Sequence, residues 1–177
     1  MSITVDSLAR RAANARRETR LRDAHRDVTE AVEVGRRSGD PRALVRALKG
    51  LGQVERGLGR HAAARPLYEE AVDLCRQGGD PLVLAHTVRH LGDLYRETGQ
   101  LEMAEPCYVE ALALYRSREG TKTLDLANAI RPVAILREDM GQAEEARRLW
   151  GEARDLYVSL DVRDGVEEYA AQLDRLG

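Results

Sequence analysis

Apolar residues recur three and four positions apart along most of the chain. Val45, Leu48, Leu51, Val54 and Leu58 form one such series, and Ala64, Leu67, Tyr68, Ala71, Leu74 and Cys75 form the next. An α-helix turns once every 3.6 residues, so positions with this spacing share one face and can be buried together. The pattern predicts two amphipathic helices separated near Gly59. The same unit returns further along: Asp40-Pro41 recurs as Asp80-Pro81, Leu51-Gly52 as Leu91-Gly92, and Pro66-Leu67-Tyr68 as Pro106-Cys107-Tyr108, each 40 residues on. Val133-Ala134, Gly141-Gln142, Ala146, Trp150 and Ala153 stand 42 after their counterparts, with the extra residues near Thr121 to Thr123. Upstream, Glu30-Ala31-Val32-Glu33 answers Glu70-Ala71-Val72-Asp73. Repetition at 20 to 50 residues indicates a stacked-repeat architecture, because one unit cannot bury its apolar face alone.

The punctuation agrees with two helices per unit. Asp40 and Asp80 are placed to accept a hydrogen bond from the first turn of a helix, and the prolines that follow them occupy the position where a missing N–H costs nothing. Gly59, Gly99 and Gly141 stand where the first helix of each unit should stop, since glycine enters the left-handed conformation without steric penalty. Pro66 and Pro106 are expected within the first few residues of each second helix, where they should be tolerated with little kink, and Pro132 deeper in its helix, where it should cause a bend. The small residues Ala64, Ala104, Ala146 and Ala71, Ala111, Ala153 form columns that let neighbouring helices approach, and Trp150 reads as an aromatic filler between units.

With the Leu-Gly pair and the following tyrosine of Leu91-Gly92-Asp93-Leu94-Tyr95, then alanine, an aromatic four on and alanine three further, the chain resembles the tetratricopeptide repeat family. Its 40-residue spacing is longer than that family's usual repeat and is similar to the longer-helix variety found in kinesin light chains and many bacterial regulators. Departures are Leu48, Val88 and Ile130 at a frequent tryptophan position, Ala134 for glycine, and Glu55 and Arg137 for tyrosine. The resemblance implies an all-α, helical-hairpin solenoid wound as a right-handed superhelix. It is expected to be a single domain over 1–177, with a degenerate repeat at 5–38, full repeats at 42–77, 82–117 and 124–159, and a capping helix at 162–176. Val162, Val166, Tyr169, Leu173 and Leu176 would form the buried stripe of that cap.

Composition then narrows the classes. The chain has 177 residues, 43% hydrophobic and 33% charged, with a formal net charge of −2. No uncharged apolar run approaches the roughly 18 residues of a membrane span. The start Met1 to Asp6 lacks the features of a secretory signal, so a cytoplasmic location is expected. Two cysteines, Cys75 and Cys107, argue against a disulfide framework or a four-ligand zinc site, and both are expected to pack inward as thiols of slow reactivity. Only Lys49 and Lys122 of the 28 basic residues are lysine, and phenylalanine is absent, which suggests a GC-rich bacterial genome.

Little in the sequence points to turnover. His86, His90 and Asp93 have a spacing that could place two imidazoles and a carboxylate together on one helix surface, yet His90 stands in a column that turns toward a neighbouring helix. No glycine-rich phosphate loop and no nucleophile beside a base is present, so no enzyme and no cofactor is expected. Up to residue 26, seven arginines (Arg10, Arg11, Arg16, Arg17, Arg20, Arg22, Arg26) oppose three acids, for a net of plus four. That segment could neutralise phosphates, but it has no interleaved aromatics or reading helix, which favours a solvated helix face over nucleic acid.

One constellation carries more. Opposite the apolar stripe, the first helices present Arg46, Lys49, Gln53 and Arg56; His86, Arg89, Asp93 and Arg96; and Asn128, Arg131, Ile135 and Glu138. In a tetratricopeptide superhelix this face lines the concave groove. Lys49, Arg89 and Arg131 repeat one charge in register, which implies an anionic ligand with its most acidic part against Arg46, Lys49 and Arg56. The family's carboxylate clamp for chaperone C-termini corresponds here to Lys49, Gln53, His90, Asn128 and Pro132. Lys49 matches and Gln53 matches loosely, while Pro132 replaces a cation, so ordinary chaperone-tail binding is not expected. The sequence therefore reads as a non-catalytic scaffold for a protein or peptide with an acidic segment, present as a monomer or weak homodimer. Its alternatives are a regulator contacting nucleic acid through the arginine-rich N-terminus and a metal-dependent enzyme.

Overall fold

The computed structural model describes residues 4–9, 11, 21–78, 80–118 and 121–176. Among the described residues, 5–9 are helical and eight longer helices follow. These are α1 (Leu21–Ser38), α2 (Pro41–Gly57), α3 (His61–Arg76), α4 (Pro81–Glu97), α5 (Leu101–Ser117), α6 (Thr123–Asp139), α7 (Ala143–Ser159) and α8 (Arg163–Leu176). No strand occurs among the described residues.

The helix boundaries follow the predicted chemistry. Asp40 Oδ1 accepts from the Arg42 amide at 2.9 Å and Asp80 Oδ1 from the Leu82 amide at 2.8 Å, so each carboxylate satisfies a donor that the first turn leaves open. Gly59, Gly99 and Gly141 have φ of 74°, 75° and 73°, the left-handed region in which a side chain would be strained. The prolines of the second helices are tolerated, as expected, though they sit deeper than the open donors of a helix start. α3 and α5 begin at His61 and Leu101, which puts Pro66 and Pro106 beyond the first turn, and both helices continue through them. Tertiary packing of the flanking alanine and tyrosine columns sustains these helices where local propensity would not.

The chain divides into two compact units, residues 1–94 and 95–177, and the division falls within α4. In the first unit Val5 and Leu8 join Val28, Val32, Val45, Leu48, Leu51 and Val54 in one apolar core. The 5–9 stretch is held by more than local bonds, since Leu8 is fully buried. Gly52 lets the Tyr68 ring lie against α2; a Cβ there would stand 2.8 Å from the ring.

In the second unit Tyr108, Tyr115, Ile130, Leu136, Leu149 and Trp150 are buried. Each such side chain contributes roughly 1.5–3 kcal/mol of transfer free energy. α8 covers α7 by placing Tyr169 against Trp150 and Tyr157, at ring separations of 5.2 and 5.0 Å. Of the predicted α8 stripe, Tyr169 is buried, whereas Val166, Leu173 and Leu176 are partly exposed and Val162, one residue before the helix, is exposed. The burial of this stripe is thus concentrated in one aromatic.

The cysteines separate. Cys75 is buried in the core of the first unit, but Cys107 is only half-buried, because its position on α5 lies one residue off the inward column of Ala104, Tyr108 and Ala111.

Candidate interaction surface on the first helices

The polar side chains expected to face a ligand are, for the most part, bound to one another. On α2 and α4, Gln53 Nε2 lies 2.7 Å from His90 Nε2, and His90 Nδ1 lies 3.4 Å from Asp93 Oδ2. A neutral imidazole satisfies both contacts: the Gln53 amide donates to Nε2, and Nδ1–H donates to the carboxylate. Arg56 and Arg89 also donate to Asp93 Oδ2, at 3.2 and 3.3 Å. Burial pushes the His90 imidazole down to about 4, so it is neutral at pH 7. Burial would raise the Asp93 carboxyl, but the hydrogen bond from His90 and the charges of Arg89 and Arg56 outweigh it and hold the group well below the usual carboxylate range. Asp93 is therefore the charged hub of a buried seam between α2 and α4.

This seam gives several of the expected face residues partners within the chain. Gln53, His90 and Asp93 hold two helices in register, and Arg56 and Arg89 are turned into that task with only 24% of each side chain exposed. Both nitrogens of His90 are engaged within the protein. Among the described residues, no group of three histidine, cysteine, aspartate or glutamate side chains could hold a metal. His86, the other histidine of the pair, is half-buried on α4.

The second unit repeats the arrangement with other residues. Arg96 pairs with Asp139 at 3.3 Å, and Arg131 with Glu168 at 2.7 Å. Asn128 Oδ1 accepts from the Tyr157 hydroxyl at 2.5 Å. Glu138 accepts from both the Trp150 indole and Arg175. Ile135 is half-buried. Four of these contacts between neighbouring first helices span 37 residues: Gln53–His90, Arg56–Asp93, Arg131–Glu168 and Glu138–Arg175. That separation is one helical turn less than the 40-residue offset, which a search for complementary charges at the repeat length minus three would have found.

Two cations escape this pattern. Lys49 is half-buried and has no carboxylate partner among the described residues; burial lowers its pKa, the nearby Cys75 opposes that shift, and lesser effects of Arg89 and Arg46 lower it further. Arg42 has no side-chain partner among the described residues, and the sequence reading, which began the α2 face at Arg46, missed it. The signal was present as the spacing of Arg42, Arg46 and Lys49, four and three apart. Arg46 pairs with Asp6 at 2.9 Å, both ends being solvent-exposed.

Of the N-terminal arginines, Arg11 pairs with the buried Asp27 at 3.0 Å, which gives it a structural role. Arg22 and Arg26 are exposed. Arg10, Arg16, Arg17 and Arg20 lie outside the described residues. No described helix is long and apolar enough to cross a membrane.

Antiparallel helix pairs with small-residue columns, aromatic fillers and polar first-helix faces define a helical-hairpin repeat protein. The sequence profile of the tetratricopeptide repeat matches residues 4–77 and 83–160, and the chain belongs to that family. Proteins of this family generally act as protein-interaction scaffolds and are typically non-enzymatic.

Solved structures agree on the fold. The nearly identical TPR-like repeats of a Podosopora anserina protein assigned as a kinesin light chain align with a TM-score of 0.75 at 14% identity, over 97% of this chain and 94% of that one. BtubC (BKLC) from P. vanneervenii gives 0.75 at 18% identity, over 97% of this chain and 79% of that one. A Rap protein complexed with Competence and Sporulation Factor gives 0.84 at 12% identity, over 93% of this chain but only 46% of the Rap protein. No curated protein sequence matches the chain.

Proposed function

We propose that this protein is a non-catalytic interaction module that captures an acidic segment of a protein or peptide on the polar face of its first helices, within the first unit. The observation that carries this reading is Lys49. A half-buried ammonium beside Arg46 and Arg89, with no carboxylate partner among the described residues, is a charge set up for compensation from outside the chain. Leaving such a group unpaired costs free energy in the unbound protein, and an arriving carboxylate recovers it. Arg56 and Arg89, held by Asp93, raise the local potential and keep their geometry, so they act on the ligand at longer range than Lys49 does.

The acidic preference is testable by selecting peptides from a random library against the full chain. Enrichment of acidic segments, weakened by added salt and lost with Lys49→Glu, is the expected result. Enrichment of neutral or basic segments would sink the reading, as would acidic binding that Lys49→Glu leaves intact.

A further inference from the structure

The chain contains two lysines, Lys49 and Lys122, and the fold gives them different surroundings. Lys122 is exposed, immediately before α6. Lys49 is half-buried on α2, between cations. Arg46 stands one turn before it on the same helix, and Arg89 holds the matching position on α4, 40 residues on. Gln53, one turn further along α2, is taken up by His90, and Asp93 by His90, Arg56 and Arg89. No carboxylate among the described residues pairs with Lys49.

This setting favours a free amine. Burial disfavours the ammonium form of Lys49, and the like charges of Arg89 and Arg46 add to that effect. Cys75 opposes them, but burial raises its thiol, so at pH 7 it keeps its proton and supplies no anion. A lysine amine held neutral is a nucleophile. The neighbours then select the electrophile. Acylation would leave a neutral amide and offer the two guanidinium groups nothing new. Addition to carbon dioxide leaves a planar anion with two oxygens, which matches the guanidinium fork. Both arginines have capacity for it. Arg46 holds an exposed pair with Asp6 that a competing anion readily replaces. Arg89 engages Asp93 through Nη1, and its other donors meet no acceptor among the described residues.

We propose that Lys49 is a site of reversible carboxylation by carbon dioxide, and that the carbamate formed there is held by Arg46 and Arg89. The Nζ lone pair attacks the carbon of carbon dioxide and a C–N bond forms. One C=O π pair moves onto oxygen, and the proton lost from nitrogen goes to solvent, so amine and carbon dioxide become a carbamate anion and a proton. No oxidant or reductant is needed. The side chain passes from cation to anion, which reverses the charge at this point of the α2 face. The consequence that carbon dioxide releases an acidic partner rests on the acidic-partner reading; the modification itself does not.

The test incubates the full chain with isotope-labelled bicarbonate in equilibrium with carbon dioxide. Carbamates are trapped by O-ethylation with a trialkyloxonium salt and located by peptide mass spectrometry, with Lys122 as the internal reference. The expected result is roughly tenfold more label on Lys49 than on Lys122, a difference of about 1.4 kcal/mol. Arg46→Gln should lower the label on Lys49 several-fold at an unchanged melting temperature, since the pair it removes is exposed at both ends. Lys49→Arg keeps the cation but lacks the amine. Its binding of an oligoglutamate peptide should be insensitive to carbon dioxide at matched ionic strength, whereas the parent's should weaken. Equal labelling of the two lysines, or label on Lys49 that Arg46→Gln leaves unchanged, overturns the proposal. Selective labelling of Lys49 in a protein that binds no acidic peptide upholds the modification site and overturns the acidic-partner reading instead.

Discussion

The polar faces of α2 and α6 descend from the same pattern in the sequence, yet their charges are handled differently. On α6, Arg131 is matched by Glu168 of α8, and Glu138 by Arg175 and the Trp150 indole. On α2, Arg56 is matched by Asp93, but Lys49 and Arg42 have no carboxylate among the described residues. A cation repeated in register is thus not by itself a ligand contact. What distinguishes a binding face from a structural one is whether the next first helix supplies the opposite charge one turn earlier in register.

The largest expected effect comes from removing the hub of the α2–α4 seam. Asp93→Ala leaves Arg56, Arg89 and His90 together without their shared acceptor, and loss of one partner of a buried ionic cluster costs about 3 kcal/mol. Thermal unfolding should show the drop, and Asp93→Asn should recover part of it by still accepting hydrogen bonds. Arg131→Ala on α6, whose pair is roughly half-exposed at both ends, should change stability by less than about 1 kcal/mol. If the two substitutions cost the same, the contrast between a buried seam and a surface pair is wrong.

Close packing gives the next effect. Gly165→Ala would set a Cβ 2.2 Å from the Tyr157 ring, and Gly52→Ala one 2.8 Å from Tyr68. Both should destabilise, by roughly 1–3 kcal/mol as overpacking typically does, with Gly165 the more severe. Denaturant midpoints measured side by side check the order.

Lys49 sharpens the comparison with the opposite sign. Lys49→Met keeps the aliphatic stem and removes an uncompensated charge, so stability should rise by about 1 kcal/mol while acidic-peptide binding falls. The linkage has a definite direction. The folded pKa of Lys49 lies below its unfolded value, so the unfolded chain holds more protons between the two, and this group's penalty is relieved as pH rises through that window. A stabilising Lys49→Met that also binds acidic peptides as well as the parent would remove the case for α2 as the binding face.

The last effect is on pH dependence. His90 titrates near 4 in the folded protein against about 6.5 when unfolded, so it opposes folding increasingly as pH falls from 6.5 toward 4. Asp93 is depressed, and its contribution is present above the ordinary carboxylate range and lost as pH falls through the lower folded value. Both act in the same direction, so His90→Gln should flatten the acid limb of the stability profile between pH 6.5 and 4 without altering the region above 7.

Much of this protein was determined by its sequence alone. Apolar residues three and four apart, Asp-Pro starts and glycine stops specify helices and their ends, because these effects act within one or two turns of the chain. Repetition of the pattern specifies stacking, since no single hairpin can bury its stripe. Charge fate was decided elsewhere. Whether Arg89 meets solvent or Asp93, whether Lys49 meets a carboxylate, and whether Cys107 faces in or out depend on the rotation of each helix about its axis and on the neighbour brought beside it. Those are set by the fit of Tyr68 against Gly52 and of Tyr169 against Trp150 and Tyr157. Such contacts join residues far apart in the chain, and their energies depend on distances of a few ångströms that only the folded packing establishes.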